Sequence, residues 1–376
     1  MHYRRFGKTD LPLSVFSLGT MRFMSSEATA IKTVDRAVAS GINHLETARG
    51  YGKSEIFLGQ AIQTLGLKRD QFYVTTKSPP TRHASEMAQW IDESLERLNL
   101  AFIDCLALHG VNTAEHLTWI KSEEGCMQAV RQAVAQGKVR HVGFSTHGPL
   151  DLILATIETG FFEFVNLHYY YFFQRHAPAV ALAHERDLGI FIISPADKGG
   201  MLYTPPTRLR DLCQPFTPLE LTYRFLLSDP HVTTLSVGPA TPEELDPALQ
   251  VSDRTDPLTD AERTVLQSLH EQEKTALGTD LCSQCYQCLP CPVQINIPEV
   301  LRLRNLAIAY EMTEFSQYRY RMFENAGHWF PGVKGNRCTE CGDCLPRCPE
   351  HLAIPDLLRD SHQRLGGQEG RRLWES

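Results

Sequence analysis

Residues 72–110 read FYVTTKSPPTRHASEMAQWIDESLERLNLAFIDCLALHG and hold one complete repeat of the fold. The opening run, FYVTT (72–76), is rich in β-branched and aromatic residues and reads as a short strand. The middle, MAQWIDESLERLNL, puts Met87, Trp90, Ile91, Leu95 and Leu98 on one face at helical spacing. DCLAL (104–108) is a second apolar run of strand length. Strand, amphipathic helix and strand in succession make a parallel βαβ unit.

The unit recurs on both sides. VFSLG (15–19) and NHLET (43–47) precede it, and HVGF (141–144), FVNL (164–167), IFII (190–193) and TLSV (234–237) follow it. An amphipathic stretch, TAIKTVDRAVASG, places Ile31, Val34 and Val38 on one face and stops at Gly41. Eight such units of about 30 residues predict an α/β protein built on a closed (β/α)8 TIM barrel. The competing doubly wound sheet lacks its GxGxxG after the first strand. Past about Leu277 the strand signal stops and helical, cysteine-rich sequence takes over. The expected division is a barrel over residues 1–275 and a small α-helical domain over 276–376, with the transition inside the polar loop and helix of 252–280.

Composition narrows the class. With 42% apolar and 22% charged residues the chain reads as globular, and a net charge of −7 argues against nucleic acid and anionic membrane as partners. No apolar stretch approaches spanning length and the N-terminus has no signal-peptide core, so the expectation is a cytoplasmic protein. In a reducing compartment, clustered cysteines favour metal over disulfides.

Chemistry in a parallel barrel sits where strands end. The second strand ends in Glu46 with Tyr51 in the loop behind it, the third runs into Lys77, and the fourth into His109. A phenol with a pKa of about 10 is a weak acid. An ammonium beside it stabilises the phenolate, a carboxylate holds the ammonium, and an imidazole orients a substrate oxygen. Taken singly, a loop tyrosine or a strand-end histidine is ordinarily structural. All four on three consecutive strand ends point to a general acid for carbonyl reduction, with hydride from a nicotinamide.

Those segments carry a resemblance. YRRFGKTDLPLSVFSLGT (3–20), GINHLETARGYGKSEIFLGQAI (41–62), FYVTTK (72–77), LALHG (106–110), KVRHVGFSTH (138–147) and SVGPATPEEL (236–245) resemble the aldo-keto reductases. The resemblance implies a small carbonyl or alcohol substrate and NADPH or NADH across the barrel mouth. It implies Tyr51 as acid, Lys77 as its tuner, His109 as orienter and Glu46 as the carboxylate. It also places Ser145, Thr146, Asn166, Ser194 and Gly238 at the cofactor. Three departures stand out. Glu46 replaces the family's aspartate, Ile193 stands where a tyrosine often stacks under the nicotinamide, and VGPATPEEL offers Glu243 and Glu244 but no Arg or Lys to a 2′-phosphate.

Eight of the eleven cysteines fall in two strings, CSQCYQCLPCP (282–292) and CTECGDCLPRCP (338–349). The second has the C-x2-C-x2-C-x3-C-P spacing of a bacterial [4Fe–4S] ferredoxin, and the first is one residue shorter. Three thiolates on one tight loop suit three corners of a cubane, and in two-cluster ferredoxins the fourth cysteine ligates the other cluster. That logic groups Cys282, Cys285, Cys288 and Cys348, and separately Cys338, Cys341, Cys344 and Cys291. Structural zinc prefers separated pairs and fits poorly. The tail is similar to the α-helical ferredoxin-like module of some aldo-keto reductase relatives, on VQINIPEVLRLRN (293–305) and PEHLAIPDLLRD (349–360).

The expected function is therefore an oxidoreductase interconverting a carbonyl and an alcohol, with two [4Fe–4S] clusters for electron relay or structure. The alternative is an electron-transfer or redox-sensing protein, with a redox protein as partner, whose barrel is a docking scaffold. Hydride transfer moves two electrons and a cubane one. A flavin would join the two, but the sequence offers no flavin motif.

Overall fold

The computed structural model describes residues 1–22 and 26–367. Two short antiparallel strands, β1 (Tyr3–Arg5) and β2 (Pro12–Ser14), precede a closed barrel. The barrel strands are β3 (Phe16–Gly19), β4 (His44–Glu46), β5 (Tyr73–Ser78), β6 (Ile103–Leu108), β7 (Val139–Ser145), β8 (Phe164–Leu167), β9 (Gly189–Ile192) and β10 (Thr234–Val237). They pair in parallel in chain order, and β10 closes on β3. Eight strands, each within two residues of its sequence-predicted run, confirm the (β/α)8 expectation.

Local signals set the intervening helices. Ser26 accepts from Thr29 N to cap helix Glu27–Ala39, and Asn99 in the left-handed conformation ends helix Ala84–Leu98. Of the face read from the helical periodicity, Met87, Ile91 and Leu98 are fully buried and Trp90 and Leu95 are half-buried.

The β1–β2 hairpin stops one end of the barrel. Phe6, in its turn, packs 5.2 Å from Phe164 at the start of β8. A Cβ on Gly189, the first residue of β9, would fall 2.2 Å from the Phe6 ring, so only glycine admits the plug there. Phe6, Leu13, Cys105, Ala107, Phe164 and Phe191 form a buried cluster behind it. Apolar side chains thus fill the barrel behind the hairpin, packed around the buried His44, and Glu46 and Lys77 lie at or near the C-terminal ends of their strands.

By its internal contacts the chain forms two compact units. One comprises Met1–Gly199 and Thr222–Leu258, which include every barrel strand; the other comprises Gly200–Leu221 and the chain from Thr259 onward. The second unit is helical. Helix Asp260–Leu277 begins with a capping box between Thr259 and Glu262, and helices Ile297–Tyr310 and Ile354–Leu365 each carry proline in the first turn. Residues Ile297–Leu306 are buried throughout, and Tyr310 donates to Leu269 O (2.8 Å) to tie two of these helices together. Among the described residues no helix is long and apolar enough to cross a membrane.

Candidate active site and cysteine centres

The C-terminal ends of β4, β5 and β10 bring Glu46, Lys77 and Ser236 into one buried polar cluster, with the half-buried Tyr51 of the loop after β4 at its edge. Parallel register places Gly19 beside Glu46, and Glu46 beside Thr75. Lys77 and Glu46 are 1% and 3% exposed, so their ion pair lies out of water. Lys77 Nζ also donates to Thr47 O (2.8 Å) and to the Tyr51 hydroxyl (3.3 Å), and it stands over the Tyr51 ring. Ser236 on β10 donates to Glu46 Oε2 (3.3 Å).

Tyr51 owes its place to a turn after β4. Its amide donates to Ala48 O (3.0 Å), and its carbonyl accepts from Ser54 N at the start of helix Ser54–Thr64 (3.0 Å). The hydroxyl of Ser54 joins those of Thr20 (2.5 Å) and Thr47 (2.9 Å), which fixes the loops after β3 and β4 together. His109 follows β6; its amide donates to Ser78 O (2.7 Å), and its ring meets Tyr51 edge to face with centroids 5.7 Å apart. The structure therefore brings together Glu46, Tyr51, Lys77 and His109.

Burial governs the charges. It pushes the Tyr51 phenol well above the usual tyrosine range, so Tyr51 is a protonated donor at neutral pH rather than the acidified phenol that an adjacent ammonium alone implies. Burial also holds Lys77 well below the usual lysine range, with Lys198 adding to the effect, while the Glu46 carboxylate in contact acts in the opposite sense. Beneath this layer His44 hydrogen-bonds through Nδ1 to Ser17 (2.6 Å) and through Nε2 to Thr75 (2.7 Å). Burial, then Lys77, lowers its pKa to about 3.

The residues expected at the cofactor fall on β7 to β10 or just beyond. Ser145 Oγ accepts from Gly110 N (3.0 Å). Thr146 donates to Val111 O (2.8 Å) and accepts from Gly148 N (2.9 Å), so its hydroxyl is occupied by the loop. Asn166 is fully buried, yet neither its Oδ1 nor its Nδ2 has a hydrogen-bond partner. A buried carboxamide with both functions unmet matches another carboxamide, such as that of a nicotinamide. Ser194 adopts φ +54°, a left-handed backbone unusual for serine. A Cβ on Gly238 would meet Gly19 O at 3.9 Å, an ordinary contact, and the Gly238 carbonyl accepts from Arg22 (3.1 Å).

Several features escaped the sequence. Arg22 pairs with Glu244 (2.6 Å), which neutralises part of the VGPATPEEL segment from a loop far away in the chain. His168 Nε2 lies 3.1 Å from His147 Nδ1, and its Nδ1 meets the Tyr170 hydroxyl, which donates to Ile193 O (2.5 Å). Only the strand-end positions of these side chains signalled them.

In the second unit Cys282, Cys285, Cys288 and Cys348 line one small cavity. Cys291 lies instead with Pro290, Asp343 and Arg347, beside the loop of Cys338, Cys341 and Cys344. Left-handed residues Gln284, Tyr286 and Glu340 shape the tight cysteine loops. Burial pushes Cys288 up to about 12 and Cys282 up to about 11. Thiols so placed need nearby positive charge to ionise, and iron supplies it. The donor set thus fits a multi-iron cluster.

Comparison with known proteins agrees with both halves. The model of the aldo/keto reductase family matches residues 16–214, and that of the 4Fe-4S dicluster domain matches residues 281–353. YqkF of Bacillus subtilis, described as an uncharacterized oxidoreductase, is 24% identical over 73% of this chain and 98% of its own length. L-galactose dehydrogenase of Arabidopsis thaliana is 32% identical over 41% of this chain and 51% of its own. Among solved structures, the holo form of aldo-keto reductase AKR11C1 from Bacillus halodurans superposes with a TM-score of 0.63 at 22% identity, covering 71% of this chain and 95% of that one. That likeness supports the barrel fold.

Proposed function

This chain belongs to the aldo/keto reductase family, and we propose that it interconverts a small carbonyl and its alcohol through Tyr51, with two [4Fe–4S] clusters in the C-terminal unit. The observation that carries this reading is Lys77 Nζ at 3.3 Å from the Tyr51 oxygen, inside a cluster closed by Glu46 and His109. A bound reduced nicotinamide supplies the hydride. Tyr51, kept protonated by burial, donates its proton to the substrate oxygen. Lys77 then stabilises the phenolate, and Glu46 holds the ammonium in place. His109 hydrogen-bonds the substrate oxygen and orients it. In the alcohol-oxidising direction Tyr51 takes the proton back.

Asn166, with both amide functions unmet, is the proposed partner of the nicotinamide carboxamide, and Ser145, Thr146, Ser194 and Gly238 shape the same face. Because Arg22 is engaged by Glu244, a 2′-phosphate gains little there, and NADH should serve as well as NADPH. For the clusters, the ligand sets are Cys282, Cys285, Cys288 and Cys348, and Cys338, Cys341, Cys344 and Cys291. Reduced cytoplasmic conditions keep such thiols available to iron. A redox protein that exchanges single electrons with these clusters is the proposed partner.

The test is an anaerobic preparation. Iron and sulfide are counted, and visible and electron paramagnetic resonance spectra are recorded. NADH or NADPH is then titrated in, with and without carbonyl substrates. Saturable binding with carbonyl turnover supports the proposal. Full clusters without saturable nicotinamide binding would move the protein to the second reading, an electron-transfer or sensing protein whose barrel is a docking scaffold.

A further inference from the structure

The two cysteine sets sit in unequal surroundings. Pro298, Leu301, Leu352 and Ile354 wall the cavity of Cys282, Cys285, Cys288 and Cys348, and Glu350 lines the same cavity. The other set meets a cation. Arg347 donates from Nε to Asp343 O (2.8 Å) and from Nη2 to Pro290 O (2.9 Å). Those carbonyls belong to the residues just before Cys344 and Cys291, so the guanidinium lies against the backbone of two of that set's four thiols. Its hydrogen bonds go to carbonyls, which leave its charge in place. The Asp343 carboxylate lines the same cavity and offsets part of it.

Hydrogen bonding to sulfur does not separate the sets. Cys282 accepts from the Gln284 amide, and Cys338 accepts from the Glu340 amide (3.4 Å) in the same relative position. What differs is the balance of adjacent charge: Glu350 alone lines the cavity of the Cys282 set, whereas beside the other set Arg347 and Arg359 stand against Asp343 and Glu340. Reduction of a cluster by one electron adds one negative charge to it. Apolar walls and a carboxylate disfavour that charge, and a guanidinium favours it.

We propose that the two sets hold clusters of different reduction potential, and that the set of Cys291, Cys338, Cys341 and Cys344 is reduced first. This rests on the ligand sets proposed above. Glu350 and the apolar walls make the Cys282 set the low-potential centre, and Arg347 makes the other the resting place of the first electron. A one-electron donor is needed at each step; dithionite serves in vitro.

The test is a reductive titration of the full-length holoprotein with dithionite and mediators, followed by electron paramagnetic resonance. Iron and sulfide are measured first. Content short of two cubanes would overturn the ligand reading and leave this inference without its sites. With full content, two reduction steps are expected, separated by at least tenfold in equilibrium constant, about 59 mV for a one-electron couple. Glu350→Gln should raise only the lower potential, and Arg347→Gln should lower only the higher. Arg347→Lys, which keeps the charge, should leave it near the wild-type value. Both shifts should shrink at high salt. Full iron with one unresolved step, or substitutions that move both potentials equally, would overturn the proposal.

Discussion

A Cβ built on Gly19 would lie 3.2 Å from Glu46 Oε2, so the last residue of β3 and the last residue of β4 compete for the same space. The same Cβ would fall 2.5 Å from Ser236 Oγ, the hydroxyl that donates to Glu46. Glutamate is one methylene longer than the family's aspartate, and in this barrel the extra length is taken up where Gly19 has no side chain. Ser236 then holds the carboxylate toward Lys77.

Gly19→Ala should therefore act through Ser236. The added methyl displaces the hydroxyl and lets the carboxylate drift. A misplacement near 1 Å costs about a hundredfold in rate, so a loss in kcat of about tenfold to a hundredfold is expected for carbonyl reduction. Ser236→Ala should cost less. In the Ser236→Ala background, Gly19→Ala should lose most of its additional effect, because the atom it strikes is gone. Additive losses in that double-mutant cycle would break the link.

Tyr51→Phe should remove the proton donor and leave the fold alone. General acid catalysis contributes about 10²- to 10⁴-fold, and kcat for carbonyl reduction should fall by that order. The iron–sulfur absorption, which belongs to the other unit, should be unchanged. Carbonyl turnover at the wild-type rate would remove Tyr51 from the reaction.

The barrel was legible because its signals are local. Each strand is a short apolar run and each helix has its own apolar face, so β3 to β10 emerge from the sequence within a residue or two. The eight cysteines were legible for the same reason. What stayed hidden depends on contacts between distant segments. Strands β1 and β2 are three residues each, and nothing in them announces that Phe6 plugs the barrel. Arg22 reaches Glu244 only because β10 closes on β3. Residues Gly200–Leu221 group with the C-terminal unit although their sequence reads as one more barrel loop and helix. Tyr51 shows the limit of residue-type chemistry: the ammonium is where the sequence implied, but burial decides the direction of the phenol's shift.

His44 gives the barrel a pH signature. Its pKa of about 3 in the folded chain lies below the ordinary value of 6.5, so between those limits the unfolded chain binds more protons. Its contribution to stability is fully present above pH 6.5 and is lost as pH falls toward 3, with a slope of at most about 1.4 kcal/mol per pH unit. Urea unfolding of the barrel, followed at pH 7.5 and 5.5 in wild type and His44→Gln, isolates the term. The variant should be less stable at the higher pH and should lose less than wild type on acidification. Equal losses would mean that His44 does not titrate on unfolding.

Asn166 offers the sharpest separation of binding from stability. A buried amide with neither function satisfied costs about 1–3 kcal/mol, and nothing in the barrel repays it. Leucine has the same branched outline without the polar atoms. Asn166→Leu should therefore raise the thermal midpoint of the ligand-free barrel by a few degrees while weakening nicotinamide binding about tenfold. The reason lies in the occupant. A carboxamide seated against Asn166 would satisfy both functions at once, and leucine would leave that carboxamide unpaired instead. Differential scanning calorimetry and a nicotinamide fluorescence titration on the same preparation read the two effects separately. A more stable variant that binds the nicotinamide as tightly as wild type would place the carboxamide elsewhere. A less stable variant would mean that Asn166 serves the fold and not the cofactor.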